Sequence, residues 1–427
     1  MPNYSKELRM PGFDLKKKLE EKSINKVPQT NPVIKKFAVT LINLFGRLLF
    51  LFRRNRLPKE VNKILFVSLN FNGDILFGST LFSLVRAIYP EAELHIWIKS
   101  RAKHMMAGYP YFSKVTVFND IRTRKYDEDI NPSISAKLNF FRELKKERYD
   151  LAFDITGLFW TAFALFYAGV KYKAGHNFQG FGFFYNFETP AVQNGHLIDK
   201  HLSLVLDNPA FSSMLPKQIN VFKVPTFHIE NEACKSIEKL LAEKNINGND
   251  RLIILHTTAG WEAKKWEVSN YVELIKYLGT NYKIFIIGGR EDSPNADFIS
   301  KNVDVKVYDV TGSLSMSESA ELIRRADLFI GADSGPLYLA EAVGTPTLSL
   351  FGPTNPLFSA PRGAKHKYVY ETLFCSAPAD MQNCKLLAGL NCRTLDCMKL
   401  IKASTVAERA LEVIAGNKKS TAADAQR

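Results

Sequence analysis

The 427-residue chain is poor in cysteine and lacks leader-like sequence and long uncharged apolar runs. Five cysteines are too few for a disulfide framework, so we expect a reduced, cytosolic setting. The first thirty residues are polar and lack the apolar core and cleavage site of a signal peptide. We find no short-period repeat or low-complexity region. A chain with 46% hydrophobic and 23% charged residues is globular and long enough for two or three domains.

Four of the cysteines cluster late in the chain and raise the question of a metal site. Cys375, Cys384, Cys392 and Cys397 contain no Cys-x-x-Cys pair. A zinc ribbon is therefore poorly supported. We predict buried free thiols, and we expect neither a metal nor a cofactor.

Positive charge is concentrated at the start of the chain. Residues 1–60 carry 14 lysines and arginines against 5 aspartates and glutamates, in a chain of net charge +14. Such a basic arm binds nucleic acid or an anionic membrane, or is a solvated tail. Nucleic-acid binding would require aromatic residues interleaved with basic ones on a sheet or in a groove, whereas here the basic excess sits beside an apolar helical segment.

The segment 33–52 favours the membrane. Its polar residues Lys36, Thr40, Asn43 and Arg47 recur at helical spacing and form one narrow stripe, while the remaining circumference is apolar. We predict a helix that lies in the headgroup region of an anionic membrane, flanked by basic residues up to Arg56. The alternatives are a helix packed on the protein's own core and a true span. A span is disfavoured because Lys36 and Arg47 bound only ten uncharged residues.

Two runs of alternating strands and helices follow, which predicts two doubly wound parallel α/β sheets that face each other. In the first run we predict strands at 64–67, 93–98, 115–118 and 150–154, a turn at 70–74, and helices at 75–89 and 134–147. A polar stretch near 207–226 separates the runs. In the second we predict strands at 251–256, 283–289, 328–330 and 347–351, and helices at 268–279, 315–326 and 336–343.

The richest stretch in turn-forming residues is 331–356, where a strand ends in Asp333, Ser334, Gly335 and Pro336. Proline suits the first position of a helix, glycine allows a ligand to approach the backbone, and free N–H groups attract anions. This predicts a phosphate or diphosphate site. The alternative is that Asp333 or Ser334 only caps its own helix.

Read whole, 331–356 resembles the signature of the bacterial heptosyltransferase family, glycosyltransferase family 9. The resemblance extends over residues 62–415 in the order expected for the family. Similar elements are Gly73-Asp74 after the first strand, His256-Thr257-Thr258 with Lys264-Lys265-Trp266, Gly288 to Asp292, Val310 to Leu314, and the segment with His196, Asp199 and Leu202. The chain departs from the usual pattern with Tyr338 in place of histidine and Val268 in place of proline. Residues 1–60 have no counterpart in typical members.

The resemblance implies a GT-B architecture with the active site in a cleft between two Rossmann-like domains. It implies an acceptor domain at 61–215 and a nucleotide-sugar domain at 216–415, to which this chain adds the basic arm at 1–60 and a flexible tail at 416–427. It also implies inverting, metal-independent transfer from a nucleotide-diphospho-sugar, with ADP-heptose the best-known donor, to a lipopolysaccharide core or related glycolipid. We therefore expect a cytoplasmic protein, peripheral on the inner face of the bacterial inner membrane.

These expectations assign roles to particular residues. Asp74 is the predicted base that deprotonates the acceptor hydroxyl, with helix capping as the alternative. Lys264, or Lys265 instead, would stabilise the departing diphosphate. The predicted donor-binding residues are Thr257, Thr258, Lys265, Gly289, Glu291, Asp292, Asp333, Ser334 and Gly335. Within this set Asp333 would hold sugar hydroxyls, and Glu291 or Asp292 the ribose. The acceptor-side candidates are Asn72, Gly73 and His196.

Two other readings remain. GT-B folds also include sugar-nucleotide epimerases and phosphorylases, because a fold does not fix a function. The second alternative is a binding or scaffold protein without catalysis. We find no sequence signal for the epimerase or phosphorylase chemistry, and the presence of Asp74, Lys264 and Asp333 argues against a scaffold.

Overall fold

The computed structural model describes residues 42–44, 46–48, 57, 60–118, 133–177, 181–190, 195–386, 392 and 394–424. The chain divides into two compact units, Met1–Phe52 and Arg53–Arg427. Of the predicted membrane-contact helix at 33–52, the structure describes two short helical pieces, in which Ile42, Leu44 and Leu48 are exposed. In the described part of the chain, we find no helix with both the length and the apolarity that crossing a bilayer requires.

The second unit contains two six-stranded sheets in which every paired strand is parallel. The first has the order β3-β2-β1-β4-β5-β6. Its strands are β1 Lys63–Ser68, β2 Glu93–Ile98, β3 Phe112–Val117, β4 Leu151–Asp154, β5 Tyr172–Asn177 and β6 Phe187–Pro190. The helices of this part are α1 Asn72–Ile88, α2 Ile134–Lys146, α3 Phe159–Tyr167 and α4 Leu197–Leu206.

The second sheet repeats this topology, with the order β12-β11-β10-β7-β8-β9. Its strands are β7 Leu252–His256, β8 Lys283–Ile287, β9 Val307–Asp309, β10 Leu328–Ala332, β11 Thr347–Phe351 and β12 His366–Tyr370. The helices are α5 Asn231–Glu243, α6 Val268–Leu278, α7 Ser293–Lys301, α8 Met316–Arg324, α9 Gly335–Ala342, α10 Pro356–Ser359, α11 Asp396–Lys399 and α12 Ala403–Asp424. The predicted doubly wound α/β fold is confirmed.

The central strands of each sheet are buried on both faces, which explains why these strands read as continuous apolar runs. In β1, Ile64 and Phe66 contribute to one hydrophobic core and Leu65 to another on the opposite face. The first of these cores also contains Ile254 of β7. One core therefore joins a face of each sheet.

Several elements differ from the prediction. The turn expected at 70–74 is shorter, because α1 already begins at Asn72 and includes Gly73 and Asp74 in its first turn. The prediction did not include helices α3, α4, α5, α7, α10, α11 and α12 or strands β5, β6, β9 and β12. The last helix, α12, continues to Asp424, into the segment where a tail was expected.

Candidate active site

A cavity of about 1260 Å³ opens where the carboxyl ends of the two sheets meet. In both sheets the direction of strand order reverses between the first and fourth strands, at β1/β4 and at β7/β10. Ligands of open α/β sheets bind at such switch points. Residues that follow all four of these strands line the cavity. Its volume exceeds the ~300–1,000 Å³ of a usual small-molecule pocket, so it offers room for two substrates.

The first turn of α1 forms one wall of the cavity and carries Asp74. Oδ2 of Asp74 accepts a hydrogen bond from the backbone N–H of Phe71 at 2.9 Å, which helps to start the helix. The Asp74 carboxylate also raises the pKa of Lys200, which burial lowers more strongly, so the net pKa of Lys200 is below its ordinary value. Asp74 therefore combines a capping contact with a position on the cavity wall.

The first turn of α9 lies directly opposite and contains Ser334 as N-cap and Gly335 as its first residue. A Cβ atom added to Gly335 would lie 3.9 Å from Cβ of Asn72. The starts of α1 and α9 therefore face each other at short range. Helix N-termini attract anions, so the cavity beside these two helix starts favours an anion.

The side chain of Lys264 reaches this point from the loop after β7. Its Nζ lies 2.6 Å from Oδ2 of Asp333 and 4.7 Å from the ring centre of Trp261. The neighbouring Lys265 also lines the cavity, but its Nζ pairs with the exposed carboxylate of Glu262 at 2.8 Å. The two lysines are thus distinguished by their partners, one buried and one exposed.

Asp333 is buried and accepts three side-chain hydrogen bonds. They come from Lys264, from Thr354 Oγ1 at 2.7 Å and from the hydroxyl of Tyr338. Burial by itself would raise the pKa of Asp333, but the charge of Lys264 and these hydrogen bonds outweigh it and hold the pKa below its ordinary value. Asp333 is thus an anion in the cavity wall whose oxygens already have donors.

The loops after β7 and β8 form a further wall of the cavity. His256, at the end of β7, lies 3.3 Å from Ser334 Oγ through Nδ1 and 3.4 Å from Thr258 Oγ1 through Nε2. Burial lowers the pKa of His256, against the opposing charges of Asp292 and Glu291. Asp292 is itself buried and accepts the backbone N–H of Gly289 at 2.7 Å, whereas Glu291 is exposed.

Two predicted site residues do not line the cavity. Thr257 is buried, and its Oγ1 accepts from Asn295 Nδ2 at 3.4 Å. His196 caps α4 by accepting the N–H of Ile198 at Nδ1, and its Nε2 donates to the carbonyl of Ala360 at 3.0 Å. Burial, reinforced by the nearby charge of Arg362, lowers the pKa of His196 to about 4. Both ring nitrogens of His196 are engaged in holding the backbone.

The other predicted residues do line the cavity, and so do polar residues to which the sequence reasoning gave no role, among them Arg101, His104 and His256. Arg101 lies 4.2 Å over the ring of Phe71 and donates to the carbonyl of Asn70 at 3.1 Å. His104 Nε2 lies 3.1 Å from Nδ2 of Asn72. Arg101 follows the end of β2, at the same sheet edge as Asp74, and this position was the available signal.

The four late cysteines differ from the prediction of buried thiols. Cys384 is buried, whereas Cys375, Cys392 and Cys397 are half-buried. Burial raises the pKa of Cys397 to about 11 and also raises that of Cys375. Within the described residues no group of three or more metal-ligating side chains is arranged to hold an ion.

The family model for glycosyltransferase family 9 (heptosyltransferase) matches residues 137–387, more than half of the chain. The chain belongs to glycosyltransferase family 9. The match includes Lys264, Asp333 and the start of α9, so this part of the cavity wall lies within the family region.

Individual relatives agree with this family assignment. Lipopolysaccharide heptosyltransferase 3 of Escherichia coli is 24% identical over 301 residues, which cover 69% of this chain and 84% of that protein. The structure of E. coli ADP-heptose lipopolysaccharide heptosyltransferase II superposes with a TM-score of 0.64 at 17% identity, over 83% of this chain and 99% of that one. An E. coli heptosyltransferase with ADP-2-deoxy-2-fluoro heptose gives 0.59 at 15% identity, over 82% and 99%. These structural likenesses show that the family 9 chain has the GT-B heptosyltransferase fold.

Proposed function

We propose that this family 9 chain transfers a heptose from ADP-heptose to a lipopolysaccharide core or related glycolipid, with inversion and without a metal ion. One observation carries the proposal. The Asp74-bearing start of α1 and the anion-attracting start of α9 face each other across one cavity, with the Gly335 Cβ position 3.9 Å from Asn72. A base and a diphosphate site on opposite walls are the two requirements of a single displacement at an anomeric carbon.

On the donor side, the diphosphate sits against the N–H groups of Ser334 and Gly335. Negative charge grows on the diphosphate as the glycosidic bond breaks, so these N–H groups and Lys264 bind the leaving group more tightly in the transition state. The carboxylate of Asp333 fixes Lys264 in advance through the 2.6 Å contact. Asp333 already accepts three hydrogen bonds, one of them from Lys264. We therefore give Asp333 two roles: it orients Lys264, and it contacts the sugar hydroxyls.

The nucleoside lies along the loops after β7 and β8. Thr258 offers a hydroxyl on this wall, and the exposed carboxylate of Glu291 is placed to accept from ribose hydroxyls. Asp292 is the weaker candidate for that contact because its Oδ2 already binds the N–H of Gly289. Gly289 itself allows the backbone to come close to the ligand.

On the acceptor side, Asp74 removes the proton of the attacking hydroxyl. Asn72, Gly73, Arg101 and His104 surround it on the same wall. A base on the face opposite the leaving diphosphate produces inversion, since the acceptor oxygen then attacks from the side away from it. The identity of the sugar follows the names of the relatives, one of which was solved with an ADP-heptose analogue.

The test is binding followed by transfer. Thermal shifts with ADP-heptose, ADP, UDP-glucose and GDP-mannose should show the largest stabilisation with ADP-heptose, since a ligand that binds only the folded state stabilises it by mass action. Mass spectrometry of a heptose-deficient lipopolysaccharide acceptor should then show one added heptose per molecule. A stronger shift with another sugar nucleotide, or ADP-heptose binding with no product on any glycolipid, would contradict the proposal.

We further propose that residues 33–56 hold the enzyme on an anionic membrane surface. The exposed Ile42, Leu44 and Leu48 support this assignment. Vesicle flotation at rising salt should show weaker binding, because electrostatic attraction to anionic lipid is screened. Equal flotation of the chain lacking residues 33–56 would show that the membrane contact lies elsewhere.

A further inference from the structure

Helix α3, Phe159–Tyr167, presents an unusual outward face. Its buried face consists of Thr161, Ala162, Ala164 and Leu165, which are small or aliphatic. Every residue of the opposite, exposed or half-buried face is aromatic: Phe159, Trp160, Phe163, Phe166 and Tyr167. The helix carries no charged residue. A helix on the surface of a domain normally turns polar side chains outward. Here Phe159 and Phe163 pack against a small core of buried residues. The rings of Trp160 and Phe166 stay exposed, and an exposed apolar surface of this kind indicates an interaction site.

A short turn at Gly182–Phe184 extends the same surface. The ring of Phe181 lies 4.7 Å from that of Phe159, and the ring of Phe184 lies 5.4 Å from that of Phe166. Phe181 and Phe183 are half-buried, while Trp160 and Phe166 are exposed at 39% and 41%. We call this surface the aromatic patch, and we define it as Phe159, Trp160, Phe163, Phe166, Phe181 and Phe183.

Basic side chains flank the aromatic patch. Helix α2 packs against α3, and Nζ of Lys137 lies 5.0 Å over the ring of Trp160. Ile134, one helical turn before Lys137 on the same face, is 74% exposed. Further along α2 the side chains of Arg142, Lys145 and Lys146 are exposed. The helix carries one acidic residue, Glu143, so its net charge is positive. Aromatic rings beside lysine and arginine are the composition that settles at the boundary between lipid headgroups and acyl chains.

The patch adjoins the acceptor side of the cavity. Thr156 and Leu158 line the cavity, and the aromatic face of α3 starts at the next residue, Phe159. Any surface in contact with the aromatic patch therefore lies next to the cavity wall that carries Asp74. This placement suits a glycolipid whose acyl chains remain in a bilayer while its sugar enters the cavity.

We propose that the aromatic patch docks on an anionic phospholipid bilayer, with the rings of Trp160 and Phe166 inserted at the level of the headgroups. The positive charge of α2 is complementary to anionic lipid, which favours this occupant over a second copy of the same basic chain. The link to the acceptor rests on the proposed function. Lipid docking itself is tested without donor or acceptor, so its failure and the failure of glycosyl transfer can be told apart.

The first test measures partitioning of the full chain onto vesicles of phosphatidylethanolamine and phosphatidylglycerol. The double variant Trp160→Gln/Phe166→Gln should bind roughly tenfold or more weakly, since each inserted aromatic ring contributes about a decade of affinity. The matched control is Tyr277→Gln/Phe298→Gln, which removes two aromatic residues that are 59% and 43% exposed elsewhere on the chain. The control should bind like the wild type.

The second test separates the patch from the N-terminal arm by observing Trp160 directly. Of the other tryptophans, Trp97 and Trp266 are buried and Trp261 is half-buried in the cavity wall. Vesicles with brominated acyl chains should quench the wild type more than Trp160→Phe, which keeps an apolar ring but removes the probe. The difference between the two proteins reports insertion of residue 160 alone.

Two results would overturn the proposal. One is equal quenching of the wild type and Trp160→Phe by brominated lipid while both proteins remain bound to the vesicles, since residue 160 would then lie outside the bilayer. The other is a dimer in analytical ultracentrifugation without lipid that becomes a monomer in the double Gln variant, because the patch would then be an interface between two copies of the chain.

Discussion

Nζ of Lys264 lies 2.6 Å from Oδ2 of Asp333, and their side chains are only 16% and 7% exposed. This pair joins two loops that are 69 residues apart and places a fixed positive charge beside the start of α9. Since a charge that is held in place before the reaction requires little reorganisation during it, the pair is suited to receive a diphosphate. The positive charge of Lys264 in turn helps to keep the pKa of the buried Asp333 carboxyl low.

Replacing Lys264 by alanine should therefore damage both stability and catalysis. We expect a loss of about 3 kcal/mol or more in unfolding free energy, because a buried carboxylate is left without its counter-ion. We expect kcat/KM for the nucleotide sugar to fall by roughly 10²-fold, with KM raised and kcat lowered. Denaturant titration and steady-state kinetics measure the two effects.

The control is Lys265→Ala, one residue along. Its partner Glu262 is 80% exposed, and such a pair contributes at most about 1 kcal/mol. Unchanged kinetics in Lys264→Ala together with a defect in Lys265→Ala would transfer the leaving-group role to Lys265.

Tyr338 on α9 donates its hydroxyl hydrogen to Oδ1 of Asp333. Its ring also packs 4.4 Å from that of Phe77 on α1, so Tyr338→Phe deletes the hydrogen bond and keeps the packing. We expect a loss of about 1–3 kcal/mol, the usual contribution of a hydrogen bond to a charged group. Tyr277→Phe, at an exposed position, should change stability little. Equal denaturation midpoints for the two variants would show that the hydroxyl does not stabilise Asp333.

Glu341 on α9 should make stability depend on pH. Burial raises the pKa of Glu341 to about 7, although the N–H of Arg362 and nearby positive charge oppose this shift. The folded protein then binds this proton more tightly than the unfolded chain, so stability decreases as pH rises from about 4.5 through 7. Glu341→Gln removes the effect, and its stability relative to wild type should increase by up to about 3 kcal/mol between pH 5 and pH 8.

Melting temperatures of both proteins across this pH range test the assignment. Other buried groups, including His196, titrate in the same range, but they contribute equally to both proteins and cancel in the difference. Glu238→Gln, at an exposed position on α5, serves as the control for losing one negative charge. If the stability difference between Glu341→Gln and the wild type does not change with pH, the pKa of Glu341 lies in its ordinary range.

Periodicity and turn residues in the sequence predicted the doubly wound fold and most strands near the cavity, because buried parallel strands read as apolar runs. Helix α3 was not predicted because its outward residues are aromatic, so its sequence lacks the helical pattern of polar and apolar residues. The start of α1 was placed three residues late because Asp74 binds the N–H of Phe71 and draws Asn72 and Gly73 into the helix.

The sequence predicted where the site residues lie along the chain, but it did not predict which of them are in contact. Lys264 and Asp333 were given separate tasks, and only the fold brings them within 2.6 Å. His196 and Thr257 belong to recognisable motifs, yet their side chains serve the backbone and the interior and not the cavity wall. Motif membership identifies a neighbourhood, whereas the direction of a side chain depends on packing that one sequence does not display.

The mechanism itself is tested at Asp74. Asp74→Asn removes the proton acceptor but keeps an oxygen for the N–H of Phe71, so turnover should fall by roughly 10²–10⁴-fold while melting temperature stays close to wild type. Donor affinity should hardly change, because the nucleotide is expected on the opposite wall. The pKa of Lys200 should fall further, since the Asp74 charge that opposes its desolvation is lost.

Asp74→Ala separates catalysis from capping. If Asp74 only starts α1, alanine lowers the melting temperature through the lost Phe71 contact and leaves turnover of the folded fraction largely intact. If Asp74 is the base, alanine and asparagine lose turnover alike, and only alanine loses stability. Turnover, ADP-heptose binding and melting temperature on both variants decide between these outcomes. Near-normal turnover in a folded Asp74→Asn enzyme would move the search to another cavity carboxylate, since both ring nitrogens of His196 are committed to backbone contacts.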